Sequence, residues 1–272
     1  MIWQEKHLKF VRFCFIIQDR LVWGVCEVLG EVISFLSGKG GTGKTALCAG
    51  IATTLAQSGK QVLCIDCDLG LRNLDIFLGL EGVEALSLLD VCSGSYPLSA
   101  AAIHPKFPSL HFLTAPVHCD PEDMDPLELK QLLIEAKGRF EFIFLDGSAG
   151  IGPGMRLVAE NADRNVVVIL PDPASVRCAD RCAQELEKMG AKNCRLVVNR
   201  LYNDLLKAMD KNIDDIMDEV GLPLLGIVPT DPNVSLAAAN GKALIKYSHF
   251  GAAAAVKRIA KRIQGLNVPL SR

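Results

Sequence analysis

The sequence predicts an α/β domain built on a doubly wound, mostly parallel sheet with helices on both faces. Two observations carry this. From Glu31 onward, short β-branched runs alternate with helical patterns, and several runs are apolar on both faces, as strands buried between two helical layers must be. The helical patterns between them end at glycines, the residue that adopts a left-handed cap with least strain.

In chain order, "EVISFLS" opens the sheet at Glu31, and the helix Lys44 to Ser58 follows it and stops at Gly59. "QVLCIDCD" and "LHFLTA" are the next strands, and Pro126 to Lys137 is a helix closed by Gly138. "FEFIFLDG" and "NVVVILPD" precede the helix Ser175 to Met189, which ends at Gly190. "CRLVVNR", the helix Asp210 to Val220 ending at Gly221, and "LLGIVPT" complete the alternation. In the last helical stretch, "AVKRIAKRIQG", Val256, Ile259 and Ile263 form one stripe. Lys257, Arg258, Lys261 and Arg262 fall largely on the other side, so the stripe is expected to pack on the sheet. The domain is expected over residues 30–266, with residues 1–29 as an extension and 267–272 as a short tail.

Composition sets limits on function. A chain of 272 residues, 50% hydrophobic, suffices for one large domain with a buried core. A formal charge of −2 with no long run of either sign does not predict nucleic-acid binding. Lys6, Lys9 and Arg12 precede only the short apolar run "FCFII", too short for a secretory core or a membrane span. A reducing cytoplasm with free thiols is the expectation for the ten scattered cysteines. Cys64 and Cys67 have metal-site spacing, but in a strand residues three apart point to opposite faces, which predicts that the two thiols do not converge.

The first thirty residues read differently. Trp3, Phe10, Cys14, Ile17 and Leu21 stand at helical spacing, while Leu8, Phe15, Ile16 and Trp23 interrupt the polar face. One reading is an over-extended gene start, with initiation at Val28 or Leu29; the other is an appended helix that serves as a membrane anchor.

The polar motifs sit at the carboxyl ends of strands, where ligands bind in such sheets. "GKGGTGKT", Gly38 to Thr45, fits the phosphate-loop pattern between a strand and a helix. Gly38, Gly40, Gly41 and Gly43 let backbone N–H groups turn inward around Thr42, Lys44 neutralises β- and γ-phosphate charge, and the Thr45 hydroxyl suits Mg²⁺. Asp66 and Asp68 are two apart at a strand end, which puts both carboxylates on one face and favours a cation between them. Asp146 ends another apolar strand and suits Mg²⁺ held through water. Asn199 and Arg200, and the loop at Pro229 and Asp231, end two later strands with groups suited to a purine, although such residues are commonly only turn formers.

Together the loop with its second lysine, Lys39, "DCDLGLRNLD", "DGSAGIG", "NR" and "VPTDP" resemble the deviant Walker A ATPases of the MinD/ParA family, and within it the MinD-type cell-division proteins. The similarity runs from about Glu31 to about Leu266. It implies a phosphate-loop NTPase fold of the SIMIBI type, ATP and Mg²⁺ as ligands, and an ATP-dependent homodimer. Lys39 then reaches across to the partner's phosphates, or serves its own nucleotide. Asp68 positions the attacking water, Thr45, Asp66 and Asp146 organise Mg²⁺, and Asn199 reads adenine.

Two departures qualify the resemblance. Ser148 stands where the family carries proline, and after Gly265 only "LNVPLSR" remains where MinD proteins have an amphipathic membrane helix. The expectations are a cytoplasmic switch ATPase with an activating or effector protein partner and weak peripheral contact with the inner face of an anionic membrane. The rivals are a ParA-like DNA partitioner, a flagellar-number or polysaccharide regulator, and a non-hydrolysing scaffold.

Overall fold

The computed structural model describes residues 10–17, 20–27, 29–69, 71–116, 124–202, 206 and 208–270. Ten strands lie among them: β1 (Phe10–Ile17), β2 (Arg20–Glu27), β3 (Glu31–Ser37), β4 (Val62–Asp66), β5 (Ala102–Ile103), β6 (Leu110–Leu113), β7 (Phe142–Ala149), β8 (Arg164–Ile169), β9 (Cys194–Leu201) and β10 (Leu224–Pro229). The last eight form one sheet in the order β10-β9-β8-β3-β7-β4-β6-β5. Every pairing in it is parallel except that of β5 with β6. The predicted strands are all present, and β5 is a short edge that lacks enough β-branched residues to stand out in sequence.

Topology decides where a ligand fits. From central β3 the chain runs outward to β4 and β6, returns to insert β7 beside β3, and continues on the other side through β8, β9 and β10. The direction reverses at β3, so the crevice of this sheet opens beyond its carboxyl end.

The helices are α1 (Lys44–Gln57), α2 (Leu74–Leu78), α3 (Leu88–Cys92), α4 (Pro126–Lys137), α5 (Pro153–Glu160), α6 (Pro173–Lys188), α7 (Ile213–Val220), α8 (Asn233–Ala239), α9 (Leu244–Tyr247) and α10 (Ala252–Ile263). α6 starts two residues earlier than predicted because Asp172 caps it and Pro173 takes the first turn. α7 starts later than Asp210 because Asn212 and Asp215 form a capping box.

Strand alternation splits the core between the two faces. Ile33, Phe35, Val62, Cys64, Phe142 and Phe144 pack with α1 and α10. Val32, Leu36, Leu63, Ile65, Ile143 and Leu145 pack with α4, α5 and α6. Cys64 belongs to the first set and Cys67 to the second, so the C-x-x-C thiols diverge as the strand period requires. Val256, Ile259 and Ile263 are buried on the sheet, as predicted. Arg262 is not free on the outer side: its guanidinium donates to the carbonyls of Leu225 at 2.9 Å, Val268 at 3.0 Å and Pro269 at 2.7 Å.

The appended-helix reading is corrected for residues 10–17 and 20–27, which are strands. β1 and β2 form a separate antiparallel ribbon with Ile17 opposite Arg20. Its residues, "FVRFCFII" and "RLVWGVCE", are mostly β-branched or aromatic, and that composition outweighs an imperfect helical stripe. The main domain is tied down from Gly30, whose N–H donates to the Lys137 carbonyl at 2.8 Å. Trp3 of the proposed stripe and Leu8, which interrupts its polar face, lie outside the described residues, as does the segment 1–9 as a whole.

Candidate functional site

The glycine-rich loop joins the carboxyl end of β3 to α1. Gly43 precedes α1 at φ 86°, and neither a side-chain cap nor an acidic residue occupies the first turn. The free N–H groups at this helix start therefore face the loop, with the positive end of the helix dipole behind them. Two contacts require glycine. A Cβ at Gly38 would lie 2.4 Å from the Cys178 carbonyl oxygen, and one at Gly43 would lie 2.3 Å from Asn199 Nδ2.

Lys44 is 6% exposed, and its Nζ sits 2.6 Å from Asp146 Oδ1 and 3.3 Å from the Thr45 hydroxyl. Burial works against the ammonium, but the Asp146 carboxylate outweighs it and holds the lysine pKa above its ordinary value. The second oxygen, Asp146 Oδ2, is buried with no hydrogen-bond partner. An ionised oxygen left unpaired beside an anion-binding loop is the place for a cation or its bound water, so Thr45 and Asp146 fit Mg²⁺.

The structure separates the roles of Asp66 and Asp68. β4 ends at Asp66, so the expected common face for the two carboxylates does not form. Asp66 Oδ1 instead accepts from the Asp68 N–H, and Oδ2 accepts from the N–H groups of Asn73 and Leu74, each at 3.0 Å. Burial and the neighbouring Asp146 raise its pKa to about 6 despite these donors. The first contribution of Asp66 is thus to shape the turn that presents Asp68. Asp68 is half-buried, its pKa raised by burial against the pull of Lys44.

Lys39 stands at the loop's outer edge, with Nζ 3.1 Å from Asp172 Oδ1. Sequence reasoning missed Asp172 as a site residue, although "DPAS" carried a helix-cap signal. Its carboxylate caps α6 through the Ser175 N–H, and that bond together with Lys39 overcomes burial to lower its pKa.

At the far side, the loop borders a cavity of about 350 Å³ lined largely by apolar side chains, among them Leu47, Phe77, Val228 and Pro229. Asn199 and Arg200 also line it, with Arg200 at φ 52°. Asp231, another lining residue, has both oxygens engaged: Oδ1 accepts from the Asn233 N–H and Oδ2 from the Ala252 N–H, each at 2.9 Å. It ties the β10 loop to the starts of α8 and α10. β7 runs through Ser148 to Ala149, which pairs with Ser37 after a register shift relative to β3.

Residues 33–245 match the CbiA family, described as the CobQ/CobB/MinD/ParA nucleotide binding domain. The septum site-determining protein MinD of Bacillus subtilis (strain 168) is 38% identical over 246 residues, 89% of this chain and 92% of that protein. MinD in the MinC:MinD cell division protein complex of Aquifex aeolicus superposes with a TM-score of 0.81 at 35% identity, covering 89% of this chain and 99% of that one. MinD of Pyrococcus horikoshii, solved with Mg-ADP, gives a TM-score of 0.75 at 27% identity over 86% of this chain and 96% of that one. With the phosphate loop, its buried lysine–aspartate pair and the matching fold all in place, the chain belongs to the CobQ/CobB/MinD/ParA nucleotide-binding family.

Proposed function

We propose that this chain is a MinD-type switch ATPase that acts in placing the division site. It binds ATP with Mg²⁺, pairs with a second copy of itself while ATP is bound, and hydrolyses ATP slowly to separate. The observation that carries this reading is the buried Lys44–Asp146 pair with Asp146 Oδ2 left open, next to a second, half-buried lysine on the same loop.

Lys44 and the loop N–H groups take the β- and γ-phosphates, and the apolar cavity takes the base. Thr45 and Asp146 would hold Mg²⁺, with Asp66 behind them; when bound, the ion offsets phosphate charge as the terminal phosphate leaves. Asp68, its pKa raised by burial, orients the attacking water. The Lys39–Asp172 pair is about one-third exposed on each side, and such pairs contribute only about 0–1 kcal/mol. Lys39 therefore leaves Asp172 at little cost when a second copy brings its phosphates near. An effector protein is expected to dock on the ATP-bound pair, since an Aquifex aeolicus relative was solved as a MinC:MinD complex.

Light scattering with ATP, run beside phosphate release, tests the switch. Lys39→Ala should bind ATP but stay monomeric, and Asp68→Ala should dimerise and remain so because hydrolysis stops. Dimerisation of Lys39→Ala at the parent level would remove the cross-subunit role.

A further inference from the structure

Asp68 lies past the end of β4, so no strand pairing holds it. Its N–H donates to Asp66 Oδ1 at 3.0 Å, and its carbonyl accepts from the Leu71 N–H at 3.1 Å. Two residues beyond Leu71 the chain returns to the same carboxylate, where the Asn73 and Leu74 N–H groups donate to Asp66 Oδ2 at 3.0 Å each. The turn thus begins and ends on Asp66, with Asp68 inside it.

Arg72 stands where this turn feeds α2. Its φ of 41° is left-handed, a conformation that strains a residue with a Cβ and persists only where the surroundings hold it. Arg72 also lies between the Leu71 N–H that bonds Asp68 and the Asn73 N–H that bonds Asp66, so its relaxation would redirect both. α2 cannot hold the turn unaided, because it has only five residues and Asn73 gives it no side-chain cap. The tether comes from Arg72 itself. Its Nε donates to Asp75 Oδ2 at 3.0 Å, and Asp75 is buried, with Oδ1 accepting from the Ile76 N–H at 2.9 Å. The guanidinium thereby joins the strained residue to the first turn of α2.

We infer that Arg72 is a positioning residue for hydrolysis: its ion pair with Asp75 keeps the turn closed and so holds Asp68 where it orients the attacking water. The inference rests on the role given to Asp68 under the proposed function. A small displacement of that carboxylate slows the chemical step, while the phosphate loop keeps its hold on ATP.

The test compares the parent with Arg72→Gly, Arg72→Met and Arg72→Lys by ATP calorimetry, by light scattering with ATP, and by phosphate release at saturating ATP with Mg²⁺. Arg72→Gly accepts the left-handed backbone without strain and Arg72→Met keeps the length of the side chain, yet both lack the tether. Each should bind ATP and dimerise like the parent while turnover falls roughly tenfold or more. Arg72→Lys keeps a cation within reach of Asp75 and should restore most of the rate. Unchanged turnover in Arg72→Gly and Arg72→Met would overturn the inference, as would turnover in Arg72→Lys as low as in Arg72→Met. Loss of ATP affinity or of dimerisation with turnover per dimer intact would also overturn it, by placing Arg72 in the ligand or subunit contact. If the Arg72 variants do not fold, Asp75→Asn keeps the acceptor for the Ile76 N–H without the charge and is held to the outcome expected of Arg72→Met. Asp68→Ala separates the two readings. If it releases phosphate like the parent, the role of Asp68 fails and this inference with it; if it is inactive while Arg72→Gly and Arg72→Met turn over normally, this inference alone is removed.

Discussion

Lys44 and Asp146 stand 102 residues apart in sequence and 2.6 Å apart in the fold. Each was readable alone, the lysine from the loop spacing and the aspartate from its place at a strand end. Their pairing was not, because no local pattern encodes a contact between the start of α1 and β7, which the sheet order brings together. Asp172 was hidden for the same reason, and the shared-face expectation for Asp66 and Asp68 failed because the strand stops at Asp66, before the period of two can apply. The pair makes a prediction at this scale. Lys44→Ala removes the charge that binds phosphate and also leaves the Asp146 carboxylate buried without its cation. Calorimetry should show no ATP binding. Urea denaturation without nucleotide should show a loss of roughly 3 kcal/mol, the range for breaking one side of a buried ion pair. Unchanged stability would mean that Asp146 is compensated by another group.

Among the elements, those with the strongest patterns were legible. The parallel strands were read correctly because burial on both faces demands unbroken apolar runs, and α1, α4, α6 and α7 because caps and glycines bound them, whereas α5, α8 and α9 were not read. The β1–β2 ribbon was misread because its apolar residues satisfy two periods at once. The short elements between β4 and β6 were not read at all, since pieces of four or five residues have no period to detect. One of them carries a pH dependence. His104, buried after β5, donates through Nε2 to the Leu78 carbonyl at the end of α2 at 3.0 Å, while Nδ1 accepts from the Lys106 N–H at 3.0 Å. Burial, aided by the nearby Lys106 charge, lowers its pKa below the ordinary 6.5. The unfolded chain therefore binds the proton first as pH falls, so His104 contributes stability that is complete above the unfolded value of 6.5 and declines below it. Urea melts at about pH 7, 6 and 5, a range that spans the model-peptide value, should show the parent losing more stability on acidification than His104→Gln, which has no proton to gain. Equal losses would remove His104 as a source of the acid sensitivity.

At the scale of the whole molecule, the surface divides by function. Leu71 and Ile151 are exposed on the loops after β4 and β7, on the same edge of the sheet as Lys39, as a face that meets a second copy would require. The opposite need, a surface for lipid, finds much less. No helix among the described residues is long and apolar enough to cross a membrane. The apolar stripe of α10 is spent on the sheet, and Arg262 is spent on three carbonyls, which leaves Lys257, Arg258 and Lys261. At about 1 kcal/mol per basic residue near an anionic surface, three give roughly 3 kcal/mol, weaker than millimolar for one copy. A dimer that presents two such patches gains through effective concentration if both reach the surface together. The expected result in vesicle sedimentation is thus weak binding to anionic vesicles that needs ATP, falls steeply with salt and is absent on neutral lipid. Arg262→Ala should not weaken it by the amount that Lys261→Ala does, since the guanidinium faces the protein. Binding that persists at high salt would require a hydrophobic anchor outside these residues. Complete absence on anionic lipid, with dimerisation intact, would leave recruitment to the partner protein or, for the partitioning alternative, to DNA.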